Sequence, residues 1–168
     1  MNYAELSDKF SVSTEKQQKA IFSTLFIAAN RLQTLFDSHI PELSLKQFML
    51  LSLVRQAEHP LTLTKLGELL GCSRQNVKKL AAVLKKKGFI ELQPGPADPR
   101  AICIQPTQKA EDFYANEFAR YQEELKYLFE VYSPEETATL FRLLSRLYEG
   151  IDNLEKKTGA RSPAEGER

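Results

Sequence analysis

A run of residues between Ser73 and Gly88 combines positive charge with amide groups, which suits contact with a polyanion. Its sequence, RQNVKKLAAVLKKK, contains no acidic residue. Lysine and arginine bind phosphate groups, and glutamine and asparagine amides can hydrogen-bond the edges of bases. The run therefore predicts contact with a DNA groove, although an ordinary solvated amphipathic helix can have the same composition.

The spacing of the apolar residues predicts that this run is a helix of about four turns. Ser73 is a favourable N-cap, and Gly88 suits the left-handed position just past a helix end. At 100° per residue one arc is apolar and consists of Val77, Leu80, Ala81 and Leu84. The opposite arc consists of Gln75, Lys79, Ala82 and Lys86, and the flanks consist of Arg74, Asn76, Lys78, Lys85 and Lys87.

The residues before this helix predict its companion in a helix-turn-helix. Leu61-Thr62-Leu63 is short and extended, and Thr64 caps a brief helix that ends at Leu70. The turn Gly71-Cys72 then leads into the basic helix.

A β-hairpin is predicted directly after Gly88. Phe89–Leu92 has strand character, residues 93–99 are dense in turn residues, and Arg100–Gln105 is a second strand. The pair forms a wing beside the helix-turn-helix.

Longer helices are predicted on both sides of this region. One begins at Ser13 or Thr14, runs to about Ser38 and is apolar on a wide arc. A second begins with Ser44 and Gln47 as a capping box. After the wing, Thr107 caps a helix that runs to about Tyr132. The last helix starts with Ser133, Pro134 and Glu136, and its apolar seam consists of Leu140, Leu144, Leu147, Ile151 and Leu154.

Charge is unevenly distributed along the 168 residues. The net charge is +1, but residues 64–109 hold nine Lys/Arg and three Asp/Glu, so that segment is +6 and the rest is −5. Such asymmetry predicts one region facing a polyanion. No signal peptide, membrane span, nucleophile motif or metal-type cysteine spacing is recognisable, so we expect a cytoplasmic protein that is not an enzyme and has no cofactor.

The stretch LTLTKLGELLGCSRQNVKKLAAVLKKKGFIEL, followed by ADPRAICIQPTQKA, resembles the MarR family of bacterial winged-helix transcription regulators. The matching motifs are Ser73–Val77, Lys87–Glu91, Asp98–Ala101 and Thr107–Ala110. The resemblance implies a mainly α fold with a small β-hairpin wing: a winged helix-turn-helix DNA-binding lobe and a dimerisation lobe of N- and C-terminal helices. The implied boundaries are 1–41 (arm and dimerisation helix), 42–106 (DNA-binding lobe), 107–158 (dimerisation helices) and 159–168 (disordered tail).

This resemblance implies a regulator, with repression favoured, that binds a palindromic operator in double-stranded DNA as a homodimer. In this interpretation one recognition helix enters each major groove and each wing arginine enters a minor groove. The DNA-binding residues are predicted to be Thr62, Thr64, Ser73, Arg74, Gln75, Asn76, Lys78, Lys79, Lys86, Asp98 and Arg100. Arg74 contacts phosphate or has a pairing role, Thr64 has a capping role, and Asp98 orients Arg100.

The resemblance also implies an effector site, because many relatives release DNA when a small aromatic compound binds between their lobes. Its predicted residues are Phe22, Phe26, Arg31, Phe36, His39 and Arg55. The alternative is a plain packed core without a cavity. Cys72 and Cys103 are interpreted as structural residues, not ligands. The competing function is a winged-helix protein-interaction module without specific DNA binding.

Overall fold

The computed structural model describes residues 12–96 and 100–159. They fall into two compact units, one ending at Leu45 and the other beginning at Lys46. The first contains one long helix, and the second contains a three-stranded antiparallel sheet and further helices. This mainly α architecture with a small sheet confirms the predicted fold class.

Helix α1 spans Thr14–His39, close to its predicted bounds. Ser13 is the N-cap, and its hydroxyl accepts from the backbone N–H of Lys16 at 3.3 Å. Phe36 and Ile40 are buried, whereas apolar residues nearer the start of the helix are exposed. The exposed residues are Ile21, Phe22, Phe26 and Ile27. Much of the wide apolar arc is therefore uncovered in the single chain.

The second unit holds most of helix α2 and the whole winged-helix region. The elements, in chain order, are α2 (Leu45–Gln56), β1 (Leu61–Thr62), α3 (Leu63–Leu70), α4 (Arg74–Lys86), β2 (Ile90–Pro94) and β3 (Ile102–Pro106). Their apolar faces form one core, because α2, α3, α4 and the sheet all contribute fully buried side chains. The largest are Leu50, Leu51, Leu66, Leu84, Phe89, Ile90 and Ile104.

The sheet has the strand order β1-β3-β2, with β3 in the centre. Leu61 and Leu92 lie opposite Ile104 from its two sides. The sequence predicted a two-stranded hairpin and missed the pairing of β1. The open edge of β3 carries backbone N–H and C=O groups that need partners, and the short extended segment before α3 supplies them.

The predicted loop between the two wing strands, residues 93–99, was wrong by two residues at each end. Strand β2 extends to Pro94, so Gln93 belongs to the strand, and β3 begins at Ile102, so Arg100 precedes it. The backbone N–H of Gly95 donates to the Ala101 carbonyl at 2.7 Å and closes the loop between the strands. Pairing across the hairpin thus overrides the turn composition of residues 93 and 94.

The helical run after the wing is not the single regular helix that was predicted. It consists of α5 (Gln108–Phe113), a π-helical segment (Tyr114–Phe118) and α6 (Ala119–Phe129). Thr107 is at the expected N-cap position, but its hydroxyl donates to the Gly88 carbonyl at 2.7 Å and caps no helix N–H. The carbonyl at the end of α4 lacks a helical partner, which makes it a good acceptor.

Helix α7, Pro134–Thr158, begins as predicted. The Ser133 hydroxyl accepts from the Glu136 N–H, and the Glu136 carboxylate accepts from the Ser133 N–H at 2.8 Å. No residue along α7 is buried. Its predicted seam is substantially exposed from Leu144 onward, with Leu154 at 60%.

Residues 1–11 of the predicted arm and residues 160–168 of the predicted tail lie outside the described residues. Asp98 also lies outside them. Within residues 12–96 and 100–159, no helix has the length and apolar composition needed to cross a membrane.

Candidate nucleic-acid interface

The turn between α3 and α4 is held by two glycines. Gly71 has a φ of 63° and ends α3 in the left-handed conformation. The Cys72 N–H donates to the Gly67 carbonyl at 2.9 Å, and a Cβ on Gly67 would lie 2.7 Å from the Cys72 carbonyl oxygen. Only glycine at position 67 allows this close approach, which sets the angle at which α4 leaves the turn.

Helix α4 is fixed at both ends and along its inner side. The Ser73 hydroxyl accepts from the Asn76 N–H at 3.3 Å, as the sequence predicted. At the other end, the Gly88 N–H donates to Lys85 and the Phe89 N–H donates to the Leu84 carbonyl, an arrangement that Gly88 permits with a φ of 80°. The inner side is buried through Val77, Ala81 and Leu84.

The outer surface of α4 is cationic and fully accessible, and we call it the α4 outer face. Its members are Arg74, Gln75, Lys78, Lys79, Ala82, Lys85 and Lys86, all exposed. At 100° per residue, Gln75, Lys79, Ala82 and Lys86 form the centre, while Arg74, Lys78 and Lys85 form one flank. Asn76 lies on the opposite flank, beside Val83. The face thus carries amide and ammonium groups at its centre and a row of cations along one edge.

Five cations of the α4 outer face have no ion-pair partner within residues 12–96 and 100–159. They are Arg74, Lys78, Lys79, Lys85 and Lys86. In contrast, the Lys65 ammonium on α3 lies 2.8 Å from the Glu68 carboxylate. Since no described carboxylate neutralises this helix surface, its positive potential is available to phosphate groups.

The last turn of α4 is tied to neighbouring elements. The Lys87 ammonium donates to the Gln47 side-chain carbonyl at 3.1 Å. The Lys109 ammonium donates to the Lys87 backbone carbonyl at 3.1 Å and lies 4.6 Å from the centre of the Phe89 ring. A cation at a helix C-terminus is favourable because the unpaired carbonyls there carry partial negative charge. These contacts hold the end of α4 in place and take Lys87 out of the α4 outer face.

Thr62, and not Thr64 as predicted, caps the helix before α4. Thr62 is the N-cap of α3, where its hydroxyl accepts from the Lys65 N–H at 3.2 Å. Thr64 lies in the first turn and is exposed, so its predicted capping role was wrong. The helix begins one residue after Thr62 because Leu63 must be buried, and that placement leaves the Thr64 hydroxyl facing solvent.

The wing places Arg100 on the exposed loop between β2 and β3. Arg100 directly precedes Ala101, whose carbonyl accepts from the Gly95 N–H, so it lies within the loop that this hydrogen bond closes. The predicted orienting role of Asp98 stays a prediction, because that residue is outside the described part of the wing.

Neither cysteine lies in surroundings that would make its thiol reactive. Burial raises the pKa of the half-buried Cys72 thiol, although the Lys46 ammonium acts in the opposite direction. A raised pKa keeps the thiol protonated at neutral pH and therefore weakly nucleophilic. Cys103 is buried in β3, with its sulfur 3.9 Å from the Pro60 carbonyl oxygen. Among the described residues, no cluster of histidine, cysteine or acidic side chains is suited to a metal ion.

The predicted effector residues have mixed environments. Phe22 and Phe26 are exposed and pack edge to face, with ring centres 5.0 Å apart. Phe36 is buried, while Arg31 and His39 are exposed, and His39 Nδ1 lies 2.8 Å from the Leu35 carbonyl oxygen. A common site for these residues stays a prediction.

Arg55, the remaining predicted effector residue, lies in the second unit and already has two partners. Its Nε donates to the Glu111 carboxylate at 2.8 Å, and its guanidinium is 4.5 Å from the centre of the Tyr114 ring. A guanidinium that is paired with a carboxylate is poorly disposed to hold an acidic ligand as well.

Two contributors to this surface were not among the predicted site residues. Lys85 completes the cationic flank with Arg74 and Lys78, and the same 100° spacing that identified the outer arc places it there. Gly67 sets the turn through a backbone approach that leaves no trace in side-chain pattern, so only the folded backbone reveals it.

Comparison with known proteins agrees with this geometry. A sequence model described as the MarR family matches residues 42–101, which include the helix-turn-helix and most of the wing. The HTH-type transcriptional regulator YfiV of Bacillus subtilis is 27% identical over 116 residues, which are 69% of this chain and 72% of that protein. The transcriptional repressor MprA of Escherichia coli K12 is 28% identical over 107 residues, which are 64% of this chain and 61% of that protein.

Among solved structures, a MarR family transcriptional regulator of Streptomyces coelicolor, Sco3205 in complex with DNA, has the same fold. The TM-score is 0.71 at 18% identity, and the match covers 83% of this chain and 93% of that chain.

Proposed function

We propose that this chain, which belongs to the MarR family of transcription regulators, is a repressor that binds a palindromic operator in double-stranded DNA as a homodimer. The observation that carries the proposal is the α4 outer face: five cations without a described partner, on a helix that is fixed at both ends. Because the backbone of α4 is already fixed, binding of a polyanion restricts only the exposed side chains and not the helix itself. Repression is favoured because the relative MprA is a transcriptional repressor.

In this proposal α4 enters a major groove. Gln75 and Lys79 lie at the centre of its outer face and contact base edges or phosphates, while Arg74, Lys78 and Lys85 contact one phosphate strand. Arg100 reaches the neighbouring minor groove from the wing. Thr62 and Thr64 precede α4 and contact phosphate through hydroxyl or backbone N–H groups.

The homodimer is proposed from the apolar exposed faces of α1 and α7. Ile151 and Leu154 on α7 are 45% and 60% exposed, and such a heptad-spaced seam is stable in water only when a second helix covers it. A two-fold dimer matches a palindrome whose half-sites are about one helical turn apart. We place the repressor in the cytoplasm, with DNA, and propose no catalytic activity.

Release of DNA by a small aromatic acid is a further part of the proposal. It is supported by the exposed aromatic pair Phe22–Phe26, and the resemblance to the family motivates it. A ligand shifts DNA affinity only if it binds the DNA-competent and incompetent states with different affinity. Titrating salicylate-like acids into the protein–DNA complex at constant pH and ionic strength tests this: no change in affinity across a broad aromatic set removes this part alone.

A protein-interaction module is the competing function, and the α4 outer face argues against it. Protein interfaces rely on buried aromatic and apolar anchors. The centre of the α4 outer face has only Ala82 as an apolar member, so it offers no anchor of this kind.

The test is selection of bound sequences from a random DNA pool by the purified protein, followed by affinity measurements at low and high salt. We expect one enriched palindromic motif and a linear fall of log affinity with log salt concentration, because cations displace counterions from phosphate. A double variant Lys78→Ala/Lys79→Ala should reduce the salt slope by roughly one per lost phosphate contact. The matched control is Lys65→Ala/Lys126→Ala, which removes two lysines that pair with carboxylates. Failure to enrich any motif contradicts the proposal.

A further inference from the structure

Two helical stripes, one before the helix-turn-helix and one after the wing, meet in three successive contacts. We call this set the α2–π joint. Its members are Phe48, Ser52 and Arg55 on α2, and Glu111, Tyr114 and Phe118 on α5 and the π-helical segment. The residues are spaced by three or four positions on each side, so each stripe lies on one helix face. Arg55 meets Glu111 and Phe48 meets Phe118, so the two stripes run antiparallel.

The central contact is a hydrogen bond between two hydroxyl groups. Ser52 Oγ and the Tyr114 hydroxyl lie 2.5 Å apart, at the short end of the range for such bonds. Ser52 is buried, with 9% of its surface exposed. Burial raises the pKa of Tyr114, so the phenol keeps its proton and the bond persists at neutral pH. A partly buried hydrogen bond of this kind depends on the direction of both hydroxyl groups, which distinguishes it from apolar packing.

The contacts on either side restrain the same ring. The Arg55 guanidinium lies over the Tyr114 ring and is held by Glu111 Oε2 at 2.8 Å. On the other side, the Phe48 ring centre is 4.5 Å from that of Phe118 and 5.7 Å from that of Tyr114. The Tyr114 ring is thus contacted by one cation and by three aromatic rings, those of Phe48, Phe113 and Phe118, and its hydroxyl is bonded to Ser52.

The α2–π joint is one of two sets of contacts that hold the same helical run. The start of α5 is tied to the end of α4 through the Thr107 hydroxyl and the Lys109 ammonium. The α2–π joint is a second attachment farther along the same helical run, at the point where the backbone is π-helical. Two attachments on one run fix a direction, whereas one leaves it free to pivot. The run continues into α6 and then α7.

We infer that the α2–π joint sets the direction in which α6 leaves the winged helix, and that Ser52 and Tyr114 are thereby positioning residues for operator spacing. This inference rests on the proposed function. In a dimer held by α7, the direction of α6 determines how far apart the two α4 helices lie and how they are rotated. One additional base pair between half-sites rotates them by about 35° and separates them by about 3.4 Å. A rigid joint therefore makes binding strongly dependent on spacing.

The experiment measures affinity for three DNAs: the selected palindrome, the same half-sites separated by one more base pair, and a single half-site. The variant is Tyr114→Phe, which removes only the hydroxyl that meets Ser52. Its matched control is Tyr127→Phe, which removes a hydroxyl from an exposed ring on α6. A second variant, Glu111→Gln, weakens the outer contact and leaves Tyr114 intact.

For Tyr114→Phe we expect about a tenfold loss on the selected palindrome, a much smaller loss on the longer spacing and none on the half-site, because preorganisation of the two lobes is lost. Glu111→Gln should act in the same direction, and Tyr127→Phe should leave all three affinities unchanged. An equal loss on all three DNAs means that the variant damages the winged helix itself, and it overturns the inference. An unchanged spacing preference overturns it as well.

A measurement without DNA separates this inference from the proposed function. Amide hydrogen exchange of residues 111–121 should be faster in Tyr114→Phe than in the parent protein, while exchange along α4 stays the same, because the joint and not the recognition helix has been loosened. Unchanged protection of residues 111–121 rejects the joint, whether or not the protein binds DNA. Absence of any sequence-selective DNA binding by the parent, with the exchange difference present, rejects the proposed function and retains the joint.

Discussion

Helices α4 and α7 are both amphipathic, yet their exposed faces have opposite chemistry. The outer face of α4 presents four lysines and an arginine to solvent. The outer face of α7 presents leucines and aromatic rings, including Phe141 and Tyr148 at 74% and 73% exposure. Water solvates the first face well and the second poorly. The α4 outer face is therefore suited to a polyanion, and the exposed face of α7 is suited to an apolar partner.

The two helices also differ in how the chain holds them. Val77 and Leu84 of α4 are completely buried, whereas no residue along α7 is. A helix that is fixed by its own unit can present side chains in a defined geometry to a ligand. A helix without buried residues gains little stability from its own unit, since isolated helices are marginal in water, and in the proposed homodimer a second copy supplies the missing contacts.

The largest effect is expected from a charge placed on the apolar face of α7. Leu147→Glu should convert a dimer into a monomer, because the carboxylate would have to be buried without a partner. Light scattering should then give the 19.1 kDa chain mass and not twice that value. Affinity for the palindrome should fall on the order of a thousandfold, since the second half-site no longer contributes. Asn153→Glu, on the opposite side of α7, is the control; a doubled mass for Leu147→Glu would contradict the proposed interface.

A smaller but still severe effect is expected at the wing. Arg100→Ala should weaken binding by about 3 kcal/mol for the two wings of a dimer, because each loses a charge-assisted contact. The melting temperature should stay nearly unchanged, since Arg100 is exposed. Fluorescence anisotropy and thermal denaturation measure the two quantities. Unfolding of the variant would assign Arg100 a structural role and not a DNA contact.

On the α4 outer face, Gln75→Ala and Lys79→Ala separate base contacts from phosphate contacts. A lost base contact should cost about 2 kcal/mol on the selected sequence and much less on random DNA. A lost phosphate contact should weaken binding to all sequences alike and reduce the salt dependence. The measurement is affinity for both DNAs over a range of salt. If neither variant changes any of these affinities, the docking of α4 in the groove is wrong.

The smallest effect compares the two serine caps. Ser73→Ala and Ser133→Ala should each lower the free energy of unfolding by about 1 kcal/mol, because each leaves a helix N–H without its acceptor. Urea denaturation measures this loss. Only Ser73→Ala should also weaken DNA binding, since Ser73 caps the helix that we propose enters the major groove. Equal DNA affinity for the two variants would mean that the start of α4 is not at the DNA surface.

The features that sequence predicted correctly depend on neighbours within a few residues. The capping box of Ser133 and Glu136 and the turn at Gly88 were placed correctly because their partners lie three or four positions away. The inner and outer arcs of α4 follow from the helical period alone, and burial confirmed Val77, Ala81 and Leu84 as the inner side.

The predictions that failed depended on competition between local signals and distant partners. Thr62 and Thr64 are both capable caps, and the burial of Leu63 decided in favour of Thr62. Leu61–Thr62 is extended as predicted, but its pairing with β3 was not predicted, because that partner lies more than forty positions along the chain.

The sequence by itself therefore determined the winged helix-turn-helix order, the cationic helix and the apolar seam of α7, since each is a periodic or nearest-neighbour property. Only the tertiary structure decided that the Thr107 hydroxyl donates to the Gly88 carbonyl and that the Lys87 ammonium donates to Gln47. The same holds for the hydrogen bond between Ser52 and Tyr114, which are 62 positions apart. Such contacts depend on where the backbone brings distant segments together, and side chains capable of them occur at many positions along the chain. The free energy that selects among those pairings belongs to the packed fold as a whole.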